Sequence, residues 1–351
     1  MSRVLIIHTG GTIGMTRTER GYEPNGEFFR SAIYGLSDLK AADIPQWDLV
    51  ETEPLLDSSR MSVHEWNKIG KIIADSYGDY DGFVVLHGTD TMAYTASAMS
   101  FMLCGLDKPV ILTGSQIPLF ETRSDGRDNL ITSLMIAGSG RVHEVCIYFG
   151  GLLLRGNRTM KYSADGMQAF TSPNYPPLAT AGISIQYNEA AMRKREEEPF
   201  RSVQLREVPI GVLKVFPGIR FEHFRPMFTG ALRGVVLETF GSGNIPDDNS
   251  VLASITAEKN AERTVTVVCS QCPQGTVNMS AYEAGSMLRQ IGASNGRDMT
   301  TEAAVAKMYY LFSTYDDVDV IKDMIGKDID EIKDYLKEYG FEYLEEQKQF
   351  R

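Results

Sequence analysis

The first half of the chain alternates short aliphatic runs with longer segments in which apolar residues recur at helical spacing. The aliphatic runs predict buried strands at residues 4–7, 82–86, 109–113 and 145–149. Helical spacing predicts helices at residues 63–76, with Ser62 as the N-cap, at 93–103 and at 129–137. Strands that alternate with helices are typical of a parallel α/β sheet. The first three strands each end in a loop rich in glycine or threonine, and open α/β sheets bind ligands at the carboxyl ends of their strands.

A second α/β pattern follows a charged stretch. Residues 188–209 contain the charged cluster 193–199 and little apolar periodicity, so we interpret them as a linker. Beyond the linker, the pattern predicts strands at 210–215, 234–239 and 264–269 and helices at 301–315 and 329–339. The predicted fold class is α/β with two domains. Residues 1–187 would form a larger, mostly parallel sheet with flanking helices, and residues 210–351 a smaller Rossmann-like parallel sheet.

Composition narrows the choice of partners and of location. The chain has 351 residues, of which 46 are acidic and 35 basic, giving a net charge of -11 with no dense basic block. Neither nucleic acid nor an anionic membrane surface is therefore expected as a partner. The first apolar run, at residues 4–7, is too short for a signal peptide or a membrane span, so we expect a cytoplasmic protein.

Cysteine and histidine spacing does not predict a metal site. The Cys-Ser-Gln-Cys segment at residues 269–272 lacks the second such pair that a zinc ribbon needs, and we interpret its cysteines as ordinary thiols at the end of a buried strand. The five histidines show no zinc-binding or triad motif. His8 and His87 lie at matching strand ends, where we expect a structural or hydrogen-bonding role.

Polar segments at the strand ends contain candidate catalytic groups. Residues 9–14, Thr-Gly-Gly-Thr-Ile-Gly, match neither nucleotide-binding spacing but place the Thr12 hydroxyl beside backbone N–H groups, as acyl transfer requires. A tight structural turn is the alternative. Thr89 and Asp90 lie directly before a helix, where capping is the alternative. Lys161 is either a desolvated base or an ordinary surface lysine.

Taken together, in this order and at these separations, these segments resemble bacterial L-asparaginases. The resemblance rests on residues 9–14, Asp57-Ser58-Ser59, residues 87–96 (His-Gly-Thr-Asp-Thr-Met-Ala-Tyr-Thr-Ala) and residues 113–118 (Thr-Gly-Ser-Gln-Ile-Pro). Residues 123–126, 155–159, 172–174 and 241–244 are similar to the cytoplasmic type I branch, so the resemblance spans nearly the whole chain. It implies hydrolysis of L-asparagine to L-aspartate and ammonia without a metal or an organic cofactor.

The resemblance also implies catalytic roles for individual residues. Thr12 would attack the amide carbon and form an acyl-threonine ester, assisted by Tyr22. Thr89, Asp90 and Lys161 would form a polarised relay, either for proton transfer or for activating the water. The division of labour between the Thr12 and Thr89 sets stays open at this point.

Substrate binding and assembly are implied in the same way. The residues expected to hold the α-carboxylate and α-ammonium groups are Asp57, Ser58, Ser59, Thr89 and Asp90, together with Asn244 from a partner chain. Tyr282 stands where the periplasmic branch has a glutamate lent by a neighbouring subunit. Relatives of this kind are homotetramers built from intimate dimers, which we expect here as well.

Other functions remain as alternatives. A mixed glutaminase-asparaginase differs only in accepting one more methylene in the substrate. An amino-acid-binding protein of the same fold would bind without catalysis and without a nucleotide. A nucleotide-dependent enzyme on a Rossmann-like sheet is disfavoured because its glycine fingerprint is missing.

Overall fold

The computed structural model describes residues 2–19, 21–195, 198–228, 232–246, 252, 254, 264–280, 283–328, 343–344 and 349–350. These residues form two compact units, Met1–Gln204 and Leu205–Arg351, and the predicted linker at 188–209 straddles the division between them. Within the described ranges, no helix is both long enough and apolar enough to cross a membrane.

The first unit is built on one large sheet. Its strands in chain order are β1 (Arg3–Gly10), β4 (Gln46–Leu56), β5 (Gly82–Leu86), β7 (Val110–Thr113), β8 (Val145–Phe149), β9 (Leu152–Arg155), β12 (Ala179–Ala181) and β13 (Ile185–Tyr187). In space they run β13-β12-β9-β8-β7-β5-β1-β4. The five strands from β8 to β4 are parallel, whereas β9, β12 and β13 are antiparallel. The α/β prediction with a mostly parallel sheet is confirmed.

Smaller strands and helices complete the first unit. The hairpin β2 (Met15–Thr18) and β3 (Gly21–Pro24) follows the first strand, and β6 (Leu103–Cys104) pairs with β14 (Arg201–Ser202), as β10 (Met160–Lys161) does with β11 (Phe170–Thr171). The helices are α1 (Gly26–Gly35), α2 (Val63–Ser76), α3 (Met92–Met102) and α4 (Gly126–Ala137), with short 3₁₀ turns at Thr12–Gly14, Asp38–Lys40, Ser58–Arg60 and Gly156–Arg158. Ser62 is the N-cap of α2, as predicted, and the structure adds a capping box with Glu65.

The central strands are nearly continuous apolar runs because both faces of the sheet are covered. Every residue of β5, β7 and β8 is buried, as are all but the first residue of β1. Helix α4 begins at Gly126, three residues before the predicted start. The early turn is polar, and the Asp125 carboxylate there accepts the backbone N–H groups of Gln116 and Ile117.

The second unit contains a parallel sheet in the order β15-β16-β17-β18. These strands are β15 (Ile210–Lys214), β16 (Gly234–Thr239), β17 (Val265–Ser270) and β18 (Ser294–Asn295), and short pairing also joins β19 (Tyr343–Leu344) to β20 (Gln349–Phe350). The helices are α5 (Arg225–Phe228), α6 (Glu283–Gln290), α7 (Thr301–Thr314) and α8 (Val318–Ile325), with a 3₁₀ turn at Phe221–Phe224. The smaller parallel sheet is as predicted, whereas the predicted helix at 329–339 lies outside the described residues.

Candidate active site

Three loops meet in close contact at the carboxyl edge of the first sheet. Strand β1 ends beside β4, where the Gly11 N–H donates to the Leu56 carbonyl oxygen at 3.0 Å. A Cβ atom added to Gly11 would lie 2.3 Å from the Gly88 nitrogen, and one added to Gly88 would lie 2.5 Å from Ser58 Oγ. The loops that carry Thr12, Ser58 and Thr89 are therefore neighbours, and glycine is required at both contact points.

Thr12 begins the 3₁₀ turn directly after this contact. Gly10 and Gly11 have φ values of 116° and 80°, so the chain turns sharply between the strand and Thr12. Ile13 is fully buried, and its carbonyl oxygen accepts the Leu119 N–H at 3.1 Å. The buried neighbour holds the turn in place while the Thr12 side chain stays half-buried and accessible.

Thr89, Asp90 and Lys161 form a hydrogen-bonded set beside that turn. Lys161 Nζ donates to Thr89 Oγ1 at 2.9 Å and forms an ion pair with Asp90 Oδ1 at 2.6 Å. Thr89 is buried, the Lys161 side chain is 20% exposed and the Asp90 side chain is 65% exposed. The lysine comes from the short strand β10, more than seventy residues along the chain, and the fold brings it to the two residues that the family resemblance groups with it. A lysine that donates to a hydroxyl makes that hydroxyl a better proton donor.

Gln116 extends this set, although the sequence predicts no role for it. Thr89 Oγ1 donates to Gln116 Oε1 at 3.4 Å, and Gln116 Nε2 donates to the carbonyl oxygens of Ala164 and Gly166 at 3.2 and 3.1 Å. Gln116 thus joins Thr89 to the loop that follows Lys161. Its place in the Thr-Gly-Ser-Gln-Ile-Pro segment was the only sequence signal, and that signal does not name a partner.

A buried chain of hydrogen bonds fixes the peptide before Thr89. Trp66 Nε1 donates to Thr95 Oγ1 at 3.0 Å, the Thr95 hydroxyl contacts His87 Nε2 at 2.9 Å, and His87 Nδ1 contacts the Gly88 carbonyl oxygen at 2.7 Å. A carbonyl only accepts, so the proton is on Nδ1 and Nε2 accepts from Thr95. Burial lowers the pKa of His87 to about 4, an effect that the bond to Gly88 partly opposes. His87 therefore has the hydrogen-bonding role that the sequence predicted.

The Asp57-Ser58-Ser59 segment borders the same loops. Asp57 Oδ1 accepts the Ser59 N–H at 2.9 Å, and the Thr91 hydroxyl donates to the Ser58 carbonyl oxygen at 2.7 Å. Ser58 is buried, whereas Asp57 and Ser59 are exposed. The segment thus presents a carboxylate and a hydroxyl to solvent next to Gly88.

The structure does not bring every predicted site residue to this place. Tyr22 lies on the hairpin strand β3 with 47% of its surface exposed, and it makes no hydrogen bond with Thr12 in the described ranges. Asn244 lies in the second unit, where its backbone pairs with Phe240 in both directions at 2.8 and 2.9 Å. Tyr282 lies outside the described residues.

The other candidate groups are ordinary in this fold. Cys104, Cys146 and Cys269 are buried free thiols, and Cys272 is an exposed one. Burial raises the pKa of Cys269 to about 12, so this thiol stays protonated, in agreement with its interpretation as a buried strand residue. Across the part of the chain that the structure describes, no three His, Cys, Asp or Glu residues are grouped as metal ligands would be.

The Thr12 hydroxyl lies on a turn beside Thr89, whose hydroxyl accepts a hydrogen bond from Lys161, the ion-pair partner of Asp90. Such an arrangement is typical of a hydrolase. Comparison with known proteins identifies the family. The family model for the N-terminal domain of asparaginase matches residues 3–193, and the model for the glutaminase/asparaginase C-terminal domain matches residues 209–325. The chain therefore belongs to the asparaginase family of hydrolases, which confirms the resemblance found in the sequence.

Individual relatives are similar over almost the whole chain. L-asparaginase 1 of Escherichia coli (strain K12) is 41% identical over 327 residues, covering 93% of this chain and 96% of that protein. The crystal structure of L-asparaginase I from Vibrio cholerae has a TM-score of 0.87 at 40% identity, covering 93% of this chain and 98% of that one. The thermostable L-asparaginase from Thermococcus kodakarensis has a TM-score of 0.84 at 28% identity, with the same two coverages.

Proposed function

We propose that this protein is an L-asparagine amidohydrolase, which converts L-asparagine to L-aspartate and ammonia through an acyl-threonine intermediate. The observation that carries the proposal is the Lys161–Thr89–Asp90 set, packed beside the turn of Thr12. A hydroxyl nucleophile beside groups that can take up and return its proton is what a two-step acyl transfer needs. Family membership and the names of the similar relatives support the same activity.

In the first step the Thr12 oxygen attacks the side-chain amide carbon. The carbon–nitrogen bond breaks, and the leaving nitrogen departs as ammonia with the proton that Thr12 gives up. The backbone N–H groups of Thr12 and Thr89 make no hydrogen bond with the described residues, so both are available for the negative charge that develops on the amide oxygen. Tyr22, on the adjacent hairpin, assists Thr12 when the hairpin moves over the substrate.

In the second step water replaces the threonine ester. The water oxygen attacks the acyl carbon, the ester bond to Thr12 breaks, and one water proton returns to Thr12. Thr89, polarised by the Lys161 ammonium, relays that proton, while Asp90 balances the lysine charge. No cofactor takes part in either step.

Substrate recognition uses partners of both signs because asparagine is a zwitterion. We assign the α-ammonium group to the carboxylates of Asp57 and Asp90 and the α-carboxylate to the hydroxyl and backbone groups of Ser58, Ser59 and Thr89. Asn244 of a neighbouring subunit completes the binding set. These residues place the substrate with its side-chain amide toward the two threonines.

Threonine variants test the mechanism. Thr12→Ala and Thr89→Val should each lower kcat for ammonia release by about a thousandfold, because each removes a reacting or relaying hydroxyl. Thr12→Ser, which keeps the hydroxyl, is the matched control and should retain far more activity than Thr12→Ala. Near-native kcat in Thr12→Ala, with an unchanged unfolding temperature, would show that Thr12 is not the nucleophile.

The same assay with glutamine separates the two amide substrates. One methylene changes kcat/KM by roughly 10- to 200-fold when a pocket alone discriminates. Preference for asparagine in that range or above supports the proposed substrate, and equal kcat/KM for the two amides would instead indicate a mixed glutaminase-asparaginase.

We also propose that the enzyme acts in the cytoplasm. The buried free thiols of Cys104, Cys146 and Cys269 suit a reducing compartment, where disulfides are rare. Fractionation of the producing cells, with activity measured in each fraction, would contradict this if the activity were released together with periplasmic or secreted proteins.

A further inference from the structure

The hairpin formed by β2 and β3 links the turn of Thr12 to helix α1. Its two ends meet at one point, where the Asn25 N–H donates to the Gly14 carbonyl oxygen at 3.2 Å. Thr12 therefore lies just before one end of the hairpin, and Tyr22 lies within it. A contact that holds the two ends of the hairpin therefore also fixes the position of the Thr12 turn.

His8 and Glu51 lie under this junction as register partners on β1 and β4. His8 Nδ1 contacts Glu51 Oε1 at 3.1 Å, and His8 is fully buried, whereas Nε2 has no hydrogen-bond partner within the described residues. Burial lowers the pKa of His8, although Glu51 opposes this, so the neutral ring donates from Nδ1. Glu51 is thus the polar anchor of the ring.

The pair contacts the chain on both sides of the hairpin, at Gly14 before it and in helix α1 after it. On the entering side, a Cβ atom on Gly14 would lie 2.5 Å from His8 Nε2, so the Gly14 backbone rests directly on the imidazole. On the leaving side, the Phe29 ring packs on His8 with centroids 4.3 Å apart, and Arg30 Nε donates to Glu51 Oε2 at 2.9 Å.

We propose that His8 and Glu51 are positioning residues, which clamp the two ends of the hairpin and thereby hold Thr12 in its reactive place. This inference rests on the proposed role of Thr12 in asparagine hydrolysis. His8 does not contact the substrate or the reacting atoms, and its effect passes through the Gly14 backbone.

The rate of proteolysis in the hairpin tests the clamp independently of enzyme activity. Trypsin cleavage at the exposed Arg17, in β2, should become about tenfold faster in His8→Leu or Glu51→Gln. Each variant loses a hydrogen bond to a charged group, so the hairpin should open more often. His8→Asn keeps an N–H near the position of Nδ1 and should restore slow cleavage. Arg30→Met changes a half-exposed side chain and should give an intermediate rate without threatening the fold.

Kinetics then separates positioning from general stability. His8→Leu and Glu51→Gln should lower kcat for asparagine by about 10- to 100-fold, because Thr12 is misplaced. KM should change by less than about twofold, since the carboxylate and ammonium contacts lie on other loops. Asp48→Asn removes the Arg3–Asp48 ion pair, which joins the same two strands far from the hairpin, and should change neither cleavage nor kcat.

The variants test the clamp, whereas ammonia release by the wild-type chain tests the proposed function. Unchanged cleavage at Arg17 together with unchanged kcat in His8→Leu and Glu51→Gln would overturn the clamp, as would equal changes in Asp48→Asn. A wild-type chain that releases no ammonia from asparagine would instead overturn the proposed function, whereas faster cleavage in the His8 and Glu51 variants would still support the clamp on the hairpin.

Discussion

The imidazole of His87 has both nitrogens occupied and its ring fully buried beside the site. Its protonation would place a second N–H against the Thr95 hydroxyl and a charge in an apolar setting. The ring is therefore neutral and fixed in place. It donates a hydrogen bond to the Gly88 carbonyl oxygen and takes no part in acid–base chemistry.

This state makes folding stability depend on pH. His87 titrates at about 6.5 in the unfolded chain and at about 4 when folded, so below pH 6.5 the unfolded state binds the proton more readily. Stability should therefore fall as the pH drops from about 6.5 to about 4, and the contribution of His87 should level off below that range. Thermal unfolding across this range measures the effect.

His87→Asn isolates the contribution, because the other titrating groups are common to both proteins. The decline between pH 6.5 and 4 should be shallower in the variant than in the wild type. The exposed His223→Asn is the control for loss of an imidazole. Parallel profiles for His87→Asn and the wild type would contradict the assignment.

At this scale the family resemblance could locate the candidate reacting groups and the Thr89–Asp90–Lys161 set, but not the residues that support them. Thr12, Thr89 and Lys161 lie in segments that resemble a known family, so they could be named in advance. Gln116 and Trp66 could not, because their relation to Thr89 and Thr95 spans 27 and 29 residues and exists only in the folded chain.

Among the secondary-structure elements, the buried strands were predictable and the sheet margins were not. Strands β1, β5, β7 and β8 are continuous apolar runs because both faces are covered. Strand β4 is only partly buried and alternates irregularly, so its eleven residues were missed. Strand β9 was missed although Gly150-Gly151, at φ values of 56° and 85°, is a recognisable hairpin signal between two apolar runs.

A buried ion pair joins the two strands of the β8–β9 hairpin at the end opposite its turn. Arg155 donates to Glu144 at 2.5 Å from Nε and at 3.1 Å from Nη2, with side chains 12% and 5% exposed. Glu144 Oε1 also accepts the Arg193 N–H at 2.9 Å. The pair therefore joins the sheet margin to the chain that leaves the first unit.

Glu144→Gln should destabilise the fold by about 3 kcal/mol, because it leaves the Arg155 charge buried without its partner. Glu189→Gln removes the exposed Arg141–Glu189 pair and should cost less than about 1 kcal/mol. Urea unfolding of the two variants measures both values. Equal losses would show that burial of the Glu144–Arg155 pair does not set its contribution.

For the whole molecule, we propose a homotetramer of intimate dimers in which each site takes Asn244 from a partner subunit. Sedimentation or light scattering should give four times the chain mass. A monomeric mass for an active enzyme would refute the shared site.

Mixing two inactive variants tests that sharing directly. Thr12→Ala and Asn244→Ala, unfolded and refolded together, should recover about a quarter of the wild-type activity, because random pairing leaves one intact site in each mixed dimer. The variants refolded separately are the controls. Absence of any recovery, with mixed dimers demonstrated, would place Asn244 in the same subunit as its Thr12 or outside the site.

The contact between Gly11 and Gly88 limits how this enzyme can be altered. A side chain at Gly11 would overlap the Gly88 backbone, and one at Gly88 would overlap Ser58, so no rotamer can relieve either clash. A mutant library meant to shift amide preference should keep those two codons constant. Diversity belongs instead at Gln116, whose flexible side chain contacts Thr89 and the carbonyl oxygens of Ala164 and Gly166.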